Sequence, residues 1–440
     1  MSPELKAFFE PKSVVVLGAS ELMGEDSLYA MFFRFIVGNF SKFKGKVHIV
    51  DLSGKLEGSE KKPNRVPRDR DLAVVVLPKE LLEKNLPKLL TRKVRALILV
   101  SGDLEKKQEE GLSNLVKRKK LLLLGPNAAM GVINTANGLM ATAAREPIIR
   151  RGHLAIITQD SSIAAMMLDR VHFHNAGISK FACTGEGLGV DETDLLEYLV
   201  RDKETNAVCI CINSLKNGRR LVEVIRETVK EKPVMVLKAS PRLEGVFEAA
   251  LRQAGALLTE NIGELIPIAE GLIKQPPMRG NRIAIVTNFP GQAILAARYL
   301  SEAGLEIATP SNETAKKITK KHPSVRIEGF VDLGATAKAS HYKFVIEQLL
   351  SDEGVAGVMV INAIRSSLLE SEDLCEIAEV AKKSNDKPVI DVVTCDEDYA
   401  IAREILADTK LPAYDRIENG ARALKMHNLR WKMLEKLKQK

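Results

Sequence analysis

A glycine turn, Gly18-Ala19-Ser20 followed by Gly24, closes the apolar run SVVVLGAS at residues 13–20. Between a strand and a helix, such a turn lets the backbone approach a phosphate, and the N–H groups of the helix start favour the anion. Ser20 stands where the second glycine of G-x-G-x-x-G would be, so a nucleotide site and a plain tight turn are both open. The next run, KVHIVD, ends in Asp51, a carboxylate that can bind a ribose hydroxyl or simply close a strand. Asp51 follows Gly18 by 33 residues, further than the dinucleotide fingerprint places its acid. Three later runs end in Pro78, in Ser101-Gly102 and in Gly125-Pro126-Asn127. Backbone-exposing turns in a row suit a long phosphorylated ligand with few charged contacts, although α/β folds place turns there in any case.

The nucleophiles are scattered. His172 and His174 are two apart in a helical stretch and point to different faces, which argues against a metal pair. His48, His153, His322, His341 and His427 read as structural or solvated residues. Cys209 and Cys211 alternate on one strand and face the same side, as core residues do. Cys183 precedes the Gly185-Glu186-Gly187 turn and reads as structural, and Glu186 and Asp191 read as solvated loop acids. No metal site and no catalytic residue is assigned from the residues alone.

The elements that position these turns are short β-branched runs spaced ~20–30 residues apart, with helix-like text between them. Runs apolar on both faces indicate parallel sheets covered by helices. Five such units fill residues 1–146 as a Rossmann-type domain. The remainder reads as a duplication. Ala155-Ile156-Ile157-Thr158 recurs as Ala284-Ile285-Val286-Thr287, AVCICIN (207–213) as AGVMVIN (356–362), and KPVMVLKAS (232–240) as KPVIDVVTC (387–395). Three matches in one order predict two flavodoxin-like α/β domains, 147–275 and 276–415, joined by the linker IKQPPMRGN. Residues 416–440 form a basic helix that docks on its own domain or binds a partner.

Composition narrows the classes. The chain has 440 residues, 45% hydrophobic and 28% charged, which is globular rather than disordered. Five cysteines without a CxxC pair speak against a disulfide framework or structural zinc and for a reducing, cytoplasmic compartment. No apolar run reaches the ~18–20 residues of a membrane span, and the opening residues carry no signal-peptide stretch. The formal net charge of +8 suits a polyanionic partner, but only 5% of residues are aromatic and no basic arm is present, so nucleic acid is not expected.

Taken in order, GAS…G, Val50-Asp51-Leu52, AVVVLP, the Val100-Ser101-Gly102 strand end, GPNAAMGVIN (125–134), AIITQ, VDETDLLEYL (190–199) and KPVMVLKA span nearly the whole chain. This order resembles the CoA-binding α part of the ADP-forming (NDP-forming) acyl-CoA synthetases, relatives of succinyl-CoA synthetase. The resemblance implies a CoA-binding domain followed by two succinyl-CoA-ligase-like domains. CoA or acyl-CoA would be held by Gly18, Ala19, Ser20, Gly24, Asp51, Pro78, Ser101, Gly102 and Asn127. It also implies an ATP-grasp β partner supplying ATP/ADP and Mg, in a homodimer or an α/β heterotetramer.

The family relays phosphate through a histidine in a Ser-His-Thr-Gly loop after its K-A-G strand. Here Lys238-Ala239-Ser240 is followed by Pro241–Glu248 and then by Ala249-Ala250-Leu251-Arg252-Gln253-Ala254-Gly255, with no histidine between. A covalent phosphate carrier of that kind needs a nucleophilic nitrogen, and Arg242 is a cation without one. Asn213 stands where the family orients the phosphohistidine with a glutamate. The phosphate turn S-Q-S-G reads Thr158-Gln159-Asp160-Ser161, with Asp160 adding like charge. In the third domain, T-N-x-G-G reads Thr287-Asn288-Phe289-Pro290-Gly291, and G-N-P-V-D-L reads Glu328-Gly329-Phe330-Val331-Asp332-Leu333. The expectation is a CoA- or acyl-CoA-binding α-like subunit without its own phosphohistidine relay. It would act as a pseudoenzyme, as a scaffold for the ATP-grasp partner or in a variant transfer of acyl groups to CoA. An active ligase whose partner lends the histidine and an NAD(P)-binding oxidoreductase are the alternatives.

Overall fold

The computed structural model describes residues 4–239, 245–259 and 261–439. The expected α/β class is observed, as two compact units. The first unit holds residues up to Phe173 and 177–259, and carries two sheets.

The first sheet contains β1 (Ser13–Gly18), β2 (Lys46–Asp51), β3 (Leu72–Val75), β4 (Ala96–Leu99) and β5 (Leu122–Leu124). All pairings are parallel, in the order β2-β1-β3-β4-β5. Every residue of β1, β3 and β4 is buried, as continuous apolar runs under helices on both faces require. One face packs Val15, Leu17, Val75 and Leu97 against Leu82, Leu86, Leu89 and Leu112 of the helices Lys79–Leu90 and Lys106–Lys119.

The second sheet contains β6 (Val132–Asn134), β7 (Leu139–Ala141), β8 (Arg150–Thr158), β9 (Gly177–Cys183), β10 (Ala207–Ile212), β11 (Val234–Lys238) and β12 (Leu257–Thr259). Its order is β12-β11-β10-β8-β9-β6-β7. The hairpin β6–β7, which the sequence groups with the first sheet, extends the second one antiparallel to β9. Cys209 and Cys211 are fully buried in β10.

The second unit carries the third sheet, made of β13 (Arg282–Thr287), β14 (Glu306–Ile307), β15 (Arg326–Ile327), β16 (Val331–Asp332), β17 (Gly357–Asn362), β18 (Val389–Val393) and β19 (Ala413–Tyr414). The main path is β15-β16-β13-β17-β18-β19, and β14 shares a flank of β13 with β16. The first sheet and the parallel strands β8–β12 of the second follow one order, 2-1-3-4-5, and in the third sheet β13, β17, β18 and β19 run in the same succession with β14 and β16 on the other flank of β13.

The segment read as a linker is instead pinned inside the second unit. The Gln275 side chain donates to the Lys410 carbonyl (2.6 Å) and accepts from the Val389 N–H (2.8 Å), and Met278 is buried. The terminal helix, Ile417–Lys438, packs on the helices Ile262–Lys274 and Pro290–Glu302 and buries Leu424, Met426 and His427. Among the described residues, no helix is long and apolar enough to cross a membrane.

Candidate functional site

Parallel register brings the carboxyl ends of the first sheet to one edge. Gly18 pairs with Asp51, Leu17 with Val75, Val75 with Leu99 and Ile98 with Leu124. The turns bearing Gly18-Ala19-Ser20, Asp51, Pro78, Ser101-Gly102 and Asn127 are thus assembled along that edge, where doubly wound folds bind ligands. Gly18 is needed for packing rather than for conformation, because a Cβ there would fall inside the Phe33 ring. Gly24 has a positive φ of 64° and open space around it.

The side chains at this edge are turned inward. Asp51 is fully buried, and one carboxylate oxygen accepts from the Ser20 N–H (2.8 Å), the Ser53 N–H (3.1 Å) and the Ser53 hydroxyl (2.8 Å). The other accepts from the Ser20 hydroxyl (2.7 Å) and from the N–H groups of Lys55 (3.0 Å) and Leu56 (2.9 Å). Burial alone would raise its pKa, but the Ser20, Leu56 and Ser53 hydrogen bonds outweigh it and hold the group near 2. Asp51 is therefore a clamp between the first two turns, and its lone pairs are already committed. The ribose-acceptor reading of Asp51 fails on that ground. Ser101 is likewise buried and donates to the Leu77 carbonyl. What the edge offers a ligand is shaped backbone, with Met23 and Leu28 standing exposed on the first turn. Those two side chains carried no signal in the sequence. The Arg34 guanidinium, also unflagged, donates to the Ser20 carbonyl (2.5 Å).

The GPN turn joins this edge to that of the second sheet. Asn127 adopts φ 60° and donates its N–H to the Ser101 carbonyl (2.8 Å). Its own carbonyl accepts from the Ser161 hydroxyl (3.0 Å). Gly185, at φ 59°, lies so close to the Pro126 carbonyl that no Cβ would fit. Cys183 is buried beside Ser161, and burial pushes its thiol up, away from the reactive thiolate.

At the end of β8, the Gln159 amide oxygen accepts from the N–H groups of Asn213 (2.7 Å) and Ser214 (3.0 Å). Its nitrogen donates to Glu192 (3.0 Å) and to the Ser214 carbonyl (2.8 Å). Gln159, Asn213 and Glu192 thus form one cluster at the β8/β10 switch point. Burial raises the Glu192 carboxyl despite the Gln159 bond.

Asp160 caps the helix Ser161–Phe173. Its carboxylate accepts from the N–H groups of Ser162 (2.8 Å) and Ile163 (3.0 Å) and from the Ser162 hydroxyl. Those bonds, the Ser162 hydroxyl foremost, lower its pKa against the effect of burial. The N–H groups that would cradle an anion at a helix start are occupied by the chain's own carboxylate. Asp191, read as a loop acid, is a cap as well and accepts from Thr193 and Asp194.

Ser240 and Pro241–Glu244, the first half of the segment Pro241–Glu248 in which a histidine loop was sought, lie outside the described residues. The seven histidines are in other places. The helix ends at Phe173, so His174 lies beyond it and bonds Tyr399 (2.6 Å) within the second unit. His48 contacts Arg70 and His153 contacts the Glu204 carbonyl. His427 is buried on the Pro276 carbonyl, and burial depresses its pKa to about 4.

Comparison with known proteins agrees with this architecture. The succinyl-CoA ligase like flavodoxin domain matches residues 151–272. The α subunit of acetate–CoA ligase (ADP-forming) II from Pyrococcus furiosus is 28% identical, over 95% of this chain and 96% of that protein. The acetate–CoA ligase (ADP-forming) of Methanocaldococcus jannaschii is also 28% identical, over 96% of this chain but 62% of its own length. A crystal structure of a Pyrococcus horikoshii protein superposes with a TM-score of 0.88 at 27% identity, covering 98% of this chain and 99% of that one. Over nearly its whole length the chain is similar to the α subunit of an ADP-forming acetate–CoA ligase, and its middle third matches the succinyl-CoA ligase like flavodoxin domain.

Proposed function

We propose that the chain is a CoA- or acyl-CoA-binding α-like subunit of an ADP-forming acid–CoA ligase and carries no phosphate of its own. The observation that carries this reading is the Asp160 carboxylate seated on the N–H groups of Ser162 and Ile163. A phosphate placed there would have to displace a covalently attached anion and face its charge. The absence of histidine from residues 240–255 points the same way.

A partner chain is supported by the lengths of the relatives. The Pyrococcus furiosus relative is named a subunit, and the longer Methanocaldococcus protein has more than a third of its length without counterpart here. We assign the nucleotide, its Mg and the ATP-grasp fold to that partner. Among the described residues, no group of three or more His, Cys, Asp or Glu side chains could hold a metal ion. CoA would be bound through the backbone of the turns at Gly18–Gly24, Pro78, Ser101-Gly102 and Asn127, which the clamped Asp51 holds in place.

Two measurements test this. Calorimetric titration with CoA, acetyl-CoA and NAD should give micromolar binding of CoA and none of NAD. Incubation with radiolabelled ATP and the ATP-grasp partner should leave no acid-labile phosphate on this chain. Labile phosphate on this chain would instead make it a working relay, and failure to bind CoA would make it a structural subunit.

A further inference from the structure

Gly271 is buried within the helix Ile262–Lys274, a place where glycine is disfavoured relative to alanine. Its reason is packing. An added Cβ would lie 2.1 Å from the Tyr414 hydroxyl and 3.7 Å from His427 Nε2. Tyr414 comes from β19 and His427 from the terminal helix, so three elements of the second unit meet at this glycine.

Both polar atoms are buried, and among the described residues neither has a hydrogen-bond partner. Leaving a buried donor or acceptor unpaired costs its desolvation. The two are complementary. His427 Nδ1 donates to the Pro276 carbonyl (2.9 Å), and burial depresses the ring pKa to about 4, so the ring is neutral at neutral pH. A neutral ring with its proton on Nδ1 presents a lone pair at Nε2. Burial, with Glu270 and Tyr399, pushes the Tyr414 phenol up, so it keeps its proton and can donate. A donor and an acceptor thus face one point without a bond between them.

We infer that one buried water bridges Tyr414 and His427 at Gly271, accepting from the hydroxyl and donating to Nε2. The distances of the two atoms from the Cβ position together barely exceed the two bonds of about 2.8 Å that one water makes. Gaps lined by polar groups hold water, whereas empty ones are apolar. A metal ion does not suit the site. The phenol keeps its proton, and among the described residues no group of three or more His, Cys, Asp or Glu side chains could hold one. The imidazole that holds the Pro276 carbonyl through Nδ1 is then fixed through Nε2 as well. One ring and its water would join residues 275–280, β19 and the terminal helix.

Tyr414→Phe in the full-length chain separates a bridged hydroxyl from an idle one. Removing an unpaired buried hydroxyl is neutral or stabilising, whereas removing a bridged one breaks a hydrogen bond and leaves Nε2 without its donor. Thermal melting of the variant should therefore fall about 2–4 °C below the parent. A crystal structure of the parent, at a resolution that shows ordered water, should place one water within about 3.2 Å of both the Tyr414 oxygen and His427 Nε2. In the variant that water should be lost or reduced in occupancy. A direct contact between the two side chains, a dry gap, or a variant that melts no lower than the parent would overturn the bridge. Water of unchanged occupancy in the variant would overturn it too.

Discussion

Asp51→Ala should lower the stability of the first sheet by about 3–5 kcal/mol and abolish CoA binding under the proposed function. The carboxylate is fully buried and accepts from Ser20, Ser53, Lys55 and Leu56, so its removal orphans several donors at once. Asp51→Asn should fare little better, because its NH2 would face N–H and hydroxyl donors on either side. The pH dependence has a definite sign. With the folded pKa lowered to about 2, the stabilisation is complete above the unfolded value and is lost as the pH falls through 4 towards 2. Thermal unfolding at neutral pH, with exchange of the Lys55 and Leu56 amides, measures the effect. A variant with the parent's melting temperature and amide protection would show that the clamp is dispensable.

The chain's large-scale organisation was legible because it rests on local hydrophobic pattern. β1, β3, β4, β10 and β17 are continuous apolar runs and are buried throughout. The three recurring strand motifs fall on equivalent strands of the second and third sheets, β8 and β13, β10 and β17, and β11 and β18. What the sequence misplaced is held by pairing partners that no local pattern names. The β6–β7 hairpin is only three residues per strand, and its sheet is decided by β9, some forty residues later. The supposed linker has the proline and glycine content of a free connection, yet Gln275 ties it to Lys410 and Val389.

The candidate site divides in the same way. Glycines and strand ends were readable, since turn chemistry is local. The commitment of Asp51 was not, because its partners lie on two separate turns brought together by β1–β2 register. Asp160 was read as a charge conflict, and the structure supplies the mechanism: an aspartate just before a helix is a cap, and a cap fills an anion site.

The third sheet hides a liability that gives the second large effect. Asp391 lies in the middle of β18 between Val389 and Val393, facing the same apolar core, and is fully buried. The matching residue of the second sheet, by the KPV repeat, is the apolar Val236. One Asp391 oxygen accepts from the Asn362 amide (2.7 Å), and the backbone N–H of Val392 adds a weaker interaction with the carboxyl. Burial raises the carboxyl to about 7, with the Asn362 bond offsetting only part of that. The acid form is the one the core tolerates, so stability is greatest below the unfolded carboxyl value near 4. It declines as the pH rises from there to about 7 and is level above. A shift of about three units corresponds to roughly 4 kcal/mol of destabilisation at pH 8. Asp391→Asn keeps an acceptor for Asn362 and removes the charge, so it should recover about 2–4 kcal/mol at pH 8 and nearly nothing at pH 4. Calorimetric melting of the parent and variant across that range gives the comparison. A constant difference between them, or a variant less stable at pH 8, would mean that the carboxylate is ionised and satisfied in the folded protein.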